Sequence, residues 1–133
     1  MTYFENFVET AFPLKCEKCR EALSALTSQL AAEGQLLSGR RWVQTETILL
    51  EQTTAYAEHL IQKLMEFEAE HSPIRTNDLE TAISTLSKFR QFCEDVYEDK
   101  RTAGKGAYPE SRRPFDGRRM ETVFEEARQN ILG

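Results

Sequence analysis

Cys16-Glu17-Lys18-Cys19 sets two thiols three residues apart. On a helix, positions i and i+3 share a face, so both sulfurs can reach one metal ion or each other. Pro13 suits the first turn of a helix, where its missing N–H costs nothing. Cys16 would then lie near a helix N-terminus, where the dipole lowers a thiol pKa. The chemistry served would be zinc binding or thiol redox. Zinc asks for four ligands, however, and no second Cys-x-x-Cys follows. Cys93 and either His59 or His71 would have to complete the set from distant segments. The plainer reading makes Cys19 and Cys93 small core residues. The expectation carried forward is that the chain holds no metal and no cofactor.

Glu68 and His71 form a Glu-x-x-His, the spacing that sets a carboxylate beside an imidazole in diiron helical bundles. Such bundles need the motif twice, plus two further carboxylates; here it occurs once, just before Pro73. The segment Arg-Thr-Ala-Gly-Lys-Gly-Ala-Tyr at 101–108 is not a phosphate-cradling P-loop, because Gly-x-x-x-x-Gly-Lys-Ser/Thr is absent. No spacing of Ser, His and Asp, or of Cys and His, indicates an activated nucleophile. The chain therefore reads as a non-enzyme.

Charge is more informative. Residues 100–119 hold Lys100, Arg101, Lys105, Arg112, Arg113, Arg118 and Arg119 against Glu110 and Asp116, a local balance of +5. The whole chain carries −5, so the remainder carries −10. Tyr108 and Phe115 interleave with the cations, and Pro109 and Pro114 bracket Arg112 and Arg113. Arginine forks recognise carboxylates and phosphates bidentately. The residues expected to meet a partner are Lys105, Tyr108, Arg112, Arg113, Phe115, Arg118 and Arg119. The competing reading folds this segment back onto acidic faces such as Glu94, Asp95, Glu98 and Asp99.

These residues must be positioned by helices. The longest candidate covers residues 40–71, with no Gly or Pro and with apolar columns at seven-residue steps: Trp42, Leu49, Tyr56; Val43, Leu50, Ala57, Leu64; and Thr53, Leu60, Phe67. Ile48, Ala55, Ile61 and Met65 lie outside those columns. Before it, Phe4, Phe7, Val8, Ala11 and Phe12 predict a short helix over 2–12. Pro13 then opens a second helix with a Cys19, Ala22, Leu23, Leu26, Leu30 face, stopped at Gly34. Ser38 or Gly39 caps the long helix, and Ser72-Pro73 ends it. Asn77 and Glu80 have capping-box spacing and open a helix over about 77–101, with Leu79, Ala82, Ile83, Leu86, Phe89, Cys93, Val96 and Tyr97 as its stripe. Residues 102–118 read as a basic loop. Asp116 caps a last helix carrying Met120, Val123, Phe124, Ala127 and Ile131.

At 133 residues, 40% hydrophobic and 29% charged, the chain has the composition of one globular domain. The net negative charge argues against a general nucleic-acid binder. No apolar run is long enough for a membrane span, and the first residues lack the basic and apolar blocks of a secretory signal. Three cysteines, an odd number, do not form a disulfide framework, and the expected compartment is the cytoplasm.

The fold expected is an all-α, single-domain bundle of four to five helices organised around the long helix at 40–71. The function expected is a protein–protein interaction module, such as a regulator, adaptor, inhibitor or chaperone. Surplus apolar helix surface adds a homodimer to the expected partners. The alternative is a nucleic-acid or phosphate-ligand binder working through 100–119, and a third reading is a metal- or thiol-dependent protein using Cys16 and Cys19.

Overall fold

A computed structural model describes residues 3–34, 39–70, 76–103 and 115–133, and they form four helices. These are α1 (Tyr3–Ala32), α2 (Gly39–Glu70), α3 (Thr76–Ala103) and α4 (Gly117–Leu132). No strand occurs among the described residues, and no helix among them is long and apolar enough to cross a membrane. The last three helices begin and end within a few residues of the expected bounds.

The first part of the chain differs from expectation. Where two helices were expected, α1 runs unbroken with Pro13 inside it. Proline removes the hydrogen bond to the Glu9 carbonyl and crowds it, at a cost of about 3 kcal/mol in a helix interior. The buried stripe offsets that cost. Phe4, Val8, Cys16, Cys19, Leu23, Leu26 and Leu30 keep one phase on both sides of the proline, so a break would forfeit the packing of one half. Pro13 itself faces solvent. Gly34, at φ +71°, ends the helix in a left-handed turn whose N–H donates to the Ala31 carbonyl.

Side-chain contacts fix the directions. Phe4 meets Phe67, Phe12 stacks on Tyr56, and Lys15 Nζ donates to Gln52 Oε1 at 2.6 Å, so α1 and α2 run antiparallel. Trp42 meets Tyr97 and Tyr56 meets Phe89, so α2 and α3 do too. Phe115 on Tyr97, and Arg90 against Glu121, turn α4 back along α3. α2 packs against each of the other helices, and so does α3, while α1 and α4 lie on opposite sides of that pair. The organising role expected of α2 is thus shared with α3. At 1.5 Å per residue α2 is about 48 Å long and α4 about 24 Å, so α4 covers roughly half of the α2–α3 seam.

The core follows the expected columns except at Val43 and at Phe67, which is only partly buried. Trp42, Leu49, Leu50, Thr53, Tyr56, Ala57, Leu60 and Leu64 are buried, but Val43 is 44% exposed. Val43 belongs to the Leu50 column by heptad count, yet 3.6 residues per turn rotate that column toward solvent at its N-terminal end. At the other end of α2, Met65 is 63% exposed.

Candidate functional site

The described parts of the basic segment, 100–103 and 115–119, lie at the end of the bundle where α2 begins, α3 finishes and α4 begins. Of the seven residues expected to bind a partner, Lys105, Tyr108, Arg112 and Arg113 lie outside the described residues. The other three have separate roles. Phe115 is half-buried, its ring centroid 5.2 Å from that of Tyr97. Arg118 is exposed. Arg119 turns inward, and its Nη1 donates to Glu46 Oε1 at 3.1 Å.

Glu46 was not singled out by sequence, and it anchors this corner. It is 0% exposed. Its Oε2 accepts the Asp116 backbone N–H at 3.2 Å, while Oε1 takes the Arg119 guanidinium. Asp116 in turn caps α4 as expected, its Oδ1 accepting the N–H groups of Arg118 and Arg119 at 3.1 and 3.3 Å. One buried carboxylate on α2 therefore holds the start of α4, 70 residues later, through backbone and side chain together. The signal was present in the spacing: Glu46 lies four residues after Trp42 and four before Leu50, on the apolar stripe itself.

Beneath the cations is an aromatic layer. Trp42 and Tyr97 pack edge to face with centroids 5.8 Å apart, and Phe115 continues the contact beyond Tyr97. The Arg41 guanidinium lies 4.8 Å from the Trp42 ring centroid. Lys100 lies about one helical turn beyond Tyr97 on α3. Both cations are partly buried. Burial lowers the pKa of each, and for Lys100 the Arg41 charge lowers it further. Their neighbours are neutralised. Arg40 pairs with Glu33 at 3.2 Å, Arg101 Nε donates to Glu98 at 2.9 Å, and Arg119 has Glu46. Among the described residues, no carboxylate pairs with Arg41 or Lys100.

The thiols converge deeper in the bundle. Cys16, Cys19 and Cys93 are free and buried. The hydrogen bond with Cys93 holds the Cys19 thiol below its ordinary pKa, and the same bond, with burial, pushes Cys93 up. Thr53 Oγ1 lies 3.8 Å from the Cys93 sulfur. Cys16 is raised by burial, so it is a poor nucleophile at neutral pH. Among the described residues no group of three or more His, Cys, Asp or Glu is arranged to hold a metal. His59 packs edge-on against Phe7 with centroids 5.7 Å apart, and His71, with it the Glu68–His71 spacing, lies outside the described residues.

Two adjoining grooves of about 570 and 520 Å³ follow the α1–α3 seam and share Phe12, Pro13 and Lys88. Their polar residues, among them Glu9, Thr81, Ser84 and Lys88, do not assemble a nucleophile with a base. Compared with known proteins, the chain matches no family model, no curated protein and no solved structure.

Proposed function

We propose that this chain is a non-enzymatic interaction module, and that the basic end of the bundle occupies an acidic surface of a protein partner. The observation that carries the reading is the gathering of Arg40, Arg41, Lys100, Arg101, Arg118 and Arg119 where three helices meet, on a chain of net charge −5. Such a charge pattern steers association with an acidic partner and gives it register. The aromatic layer below holds the helix ends in place, so little entropy is lost when the surface is covered.

The test replaces Arg112, Arg113 and Arg118 with alanine and compares affinity capture from the native host, followed by mass spectrometry, for the two forms. The expected result is a partner retained by the parent chain at low salt, released at high salt, and lost from the variant with no change in melting temperature. A partner held equally by both forms, and indifferent to salt, would remove the reading.

A further inference from the structure

Pro13 weakens α1 and faces solvent, so the core gains nothing from it. Its consequences fall on the wall of the α1–α3 groove. The Glu9 carbonyl loses its regular helical donor, and the proline ring is left exposed. Glu9 and Pro13 line the larger of the two adjoining grooves, and Pro13 lines the smaller as well. The floor is apolar: Val8 and Cys16 are buried in it, and Phe12 and Phe92 are half-buried. Together the grooves follow residues 5–20 of α1 and 77–95 of α3. At 1.5 Å per residue that is a furrow about 23–27 Å long, the length of a helix of about 15–18 residues. Its two ends differ in chemistry. Where α1 and α3 begin, Glu5, Glu9 and Glu80 bring carboxylates to the walls, beside the Thr81 and Ser84 hydroxyls. Glu9 and Glu80 are exposed and stand on opposite walls. Lys88 lines both grooves where they join, and the far end holds Asp95 and Arg20, whose guanidinium lies 4.8 Å from the Phe92 ring centroid.

We propose that this groove seats one helix of a protein partner, about four to five turns long, with an apolar stripe and with arginine or lysine in its last turns, over Glu9 and Glu80. This is a second contact face, separate from the basic end. The acidic end of the groove is built of acceptors: carboxylates, and a carbonyl that proline has released. An arginine fork or an ammonium supplies the donors and the charge that these groups lack. A neutral or acidic segment would desolvate them and leave them unpaired, which is costly. Cations in the last turns of the partner helix also suit its own dipole. The helix then runs antiparallel to α1 and α3, whose N-termini lie at this end. Its apolar stripe, read as anchors at i, i+3, i+4 and i+7, covers Phe12, Pro13 and Phe92.

The test uses the full chain and three synthetic helical peptides of about 18 residues. The first carries an apolar stripe with arginines in its last two turns. One twin has glutamates in place of those arginines, and the other has the same composition in an order that destroys the stripe. Fluorescence anisotropy should show the first peptide binding at least roughly tenfold more tightly than either twin, and it should shift the amide NMR signals of Ser84 and Lys88. Glu80→Arg should erase the preference over the glutamate twin, and Ser84→Arg, at an exposed position on the groove wall, should abolish binding. Pro13→Ala restores the helical donor to Glu9, so it should raise the melting temperature and weaken binding several-fold. Arg118→Ala should bind the first peptide as the parent does, which separates failure of this inference from failure of the basic-end reading. Equal binding of all three peptides, or of none, would overturn the inference, as would a Pro13→Ala chain that binds like the parent. A dimer in sedimentation that Ser84→Arg dissociates would give the groove to a second copy and overturn the separate partner.

Discussion

The two ends of the bundle use the same parts and finish them differently. At the end where α1 begins, Lys63 Nζ lies 5.5 Å from the Phe7 ring centroid, above a layer in which Phe4, Phe7 and Phe67 meet. Glu66, one turn along α2, accepts from that ammonium at 3.0 Å. At the other end Arg41 lies 4.8 Å from the Trp42 ring centroid above the Trp42–Tyr97–Phe115 layer, no carboxylate among the described residues pairs with it, and its charge lowers the pKa of Lys100. Midway, Arg90 stacks on Phe124 with Glu94 and Glu121 beside it. A cation on an aromatic face is thus a recurring packing device in this chain; a carboxylate closes it at the end where α1 begins, and among the described residues it is left open at the basic end and also at Arg20, 4.8 Å from the Phe92 ring centroid.

The largest test of the comparison removes the layers. Phe4 is 2% exposed and Trp42 4%, so Phe4→Ala and Trp42→Ala should each cost about 3–5 kcal/mol, the range for a buried aromatic truncated to alanine. Urea denaturation measures both. Similar losses mean that the ends are equally well packed and differ in charge alone. A small loss for Trp42→Ala would mean that the basic end is loosely built, and that Arg41 and Lys100 are not held in place.

A smaller effect separates neighbours at the basic end. Arg119 is bonded to a fully buried carboxylate, and Arg118 projects into water. Arg119→Ala leaves Glu46 buried with one donor fewer and should cost about 1–3 kcal/mol. Arg118→Ala should stay within about 0.5 kcal/mol of the parent. Thermal denaturation of the two variants side by side decides it, and equal effects would mean that the Glu46 contact contributes nothing to the fold.

Much of this architecture was legible because local signals agreed with one another. Asp116 as cap, Gly34 as stop and the 3–4 stripes of α2, α3 and α4 each point to the same boundaries, while Asn77, expected as a cap, lies inside α3, which begins at Thr76. Pro13 suggests a helix break because its ring removes a backbone donor, but the apolar periodicity runs through it. The Phe4, Val8, Cys16, Cys19 stripe crosses it in phase, and the tertiary burial of that stripe outweighs one lost backbone hydrogen bond. The candidate site was half legible. Its charge excess could be counted, but which cations are neutralised depends on contacts between distant residues. Glu46 and Arg119 are 73 apart in sequence. Arg41 and Lys100 belong to different helices, and nothing in the sequence shows which of their neighbours pair with carboxylates.

The smallest effect is the sharpest probe of the open end, because its sign is fixed. An unfolded Lys100 titrates near 10.5, and in the folded chain it titrates lower, through burial and then the Arg41 charge. Between the lowered value and 10.5 the unfolded chain binds more protons, so stability rises with pH across that window. Below it, at neutral pH, the penalty is present in full. Lys100→Met deletes the charge and keeps an apolar stem at this partly buried position. The variant should therefore melt above the parent at pH 7, with the gap closing as pH approaches 10.5. Lys15, whose pKa is also lowered by burial, is common to both forms and cancels in the difference. Lys63→Met at the closed end breaks a pair with Glu66 and should give no gain. Should Lys100→Met melt at or below the parent at pH 7, the two cations would not be in repulsion, and the contrast between the ends would reduce to a difference in aromatic packing.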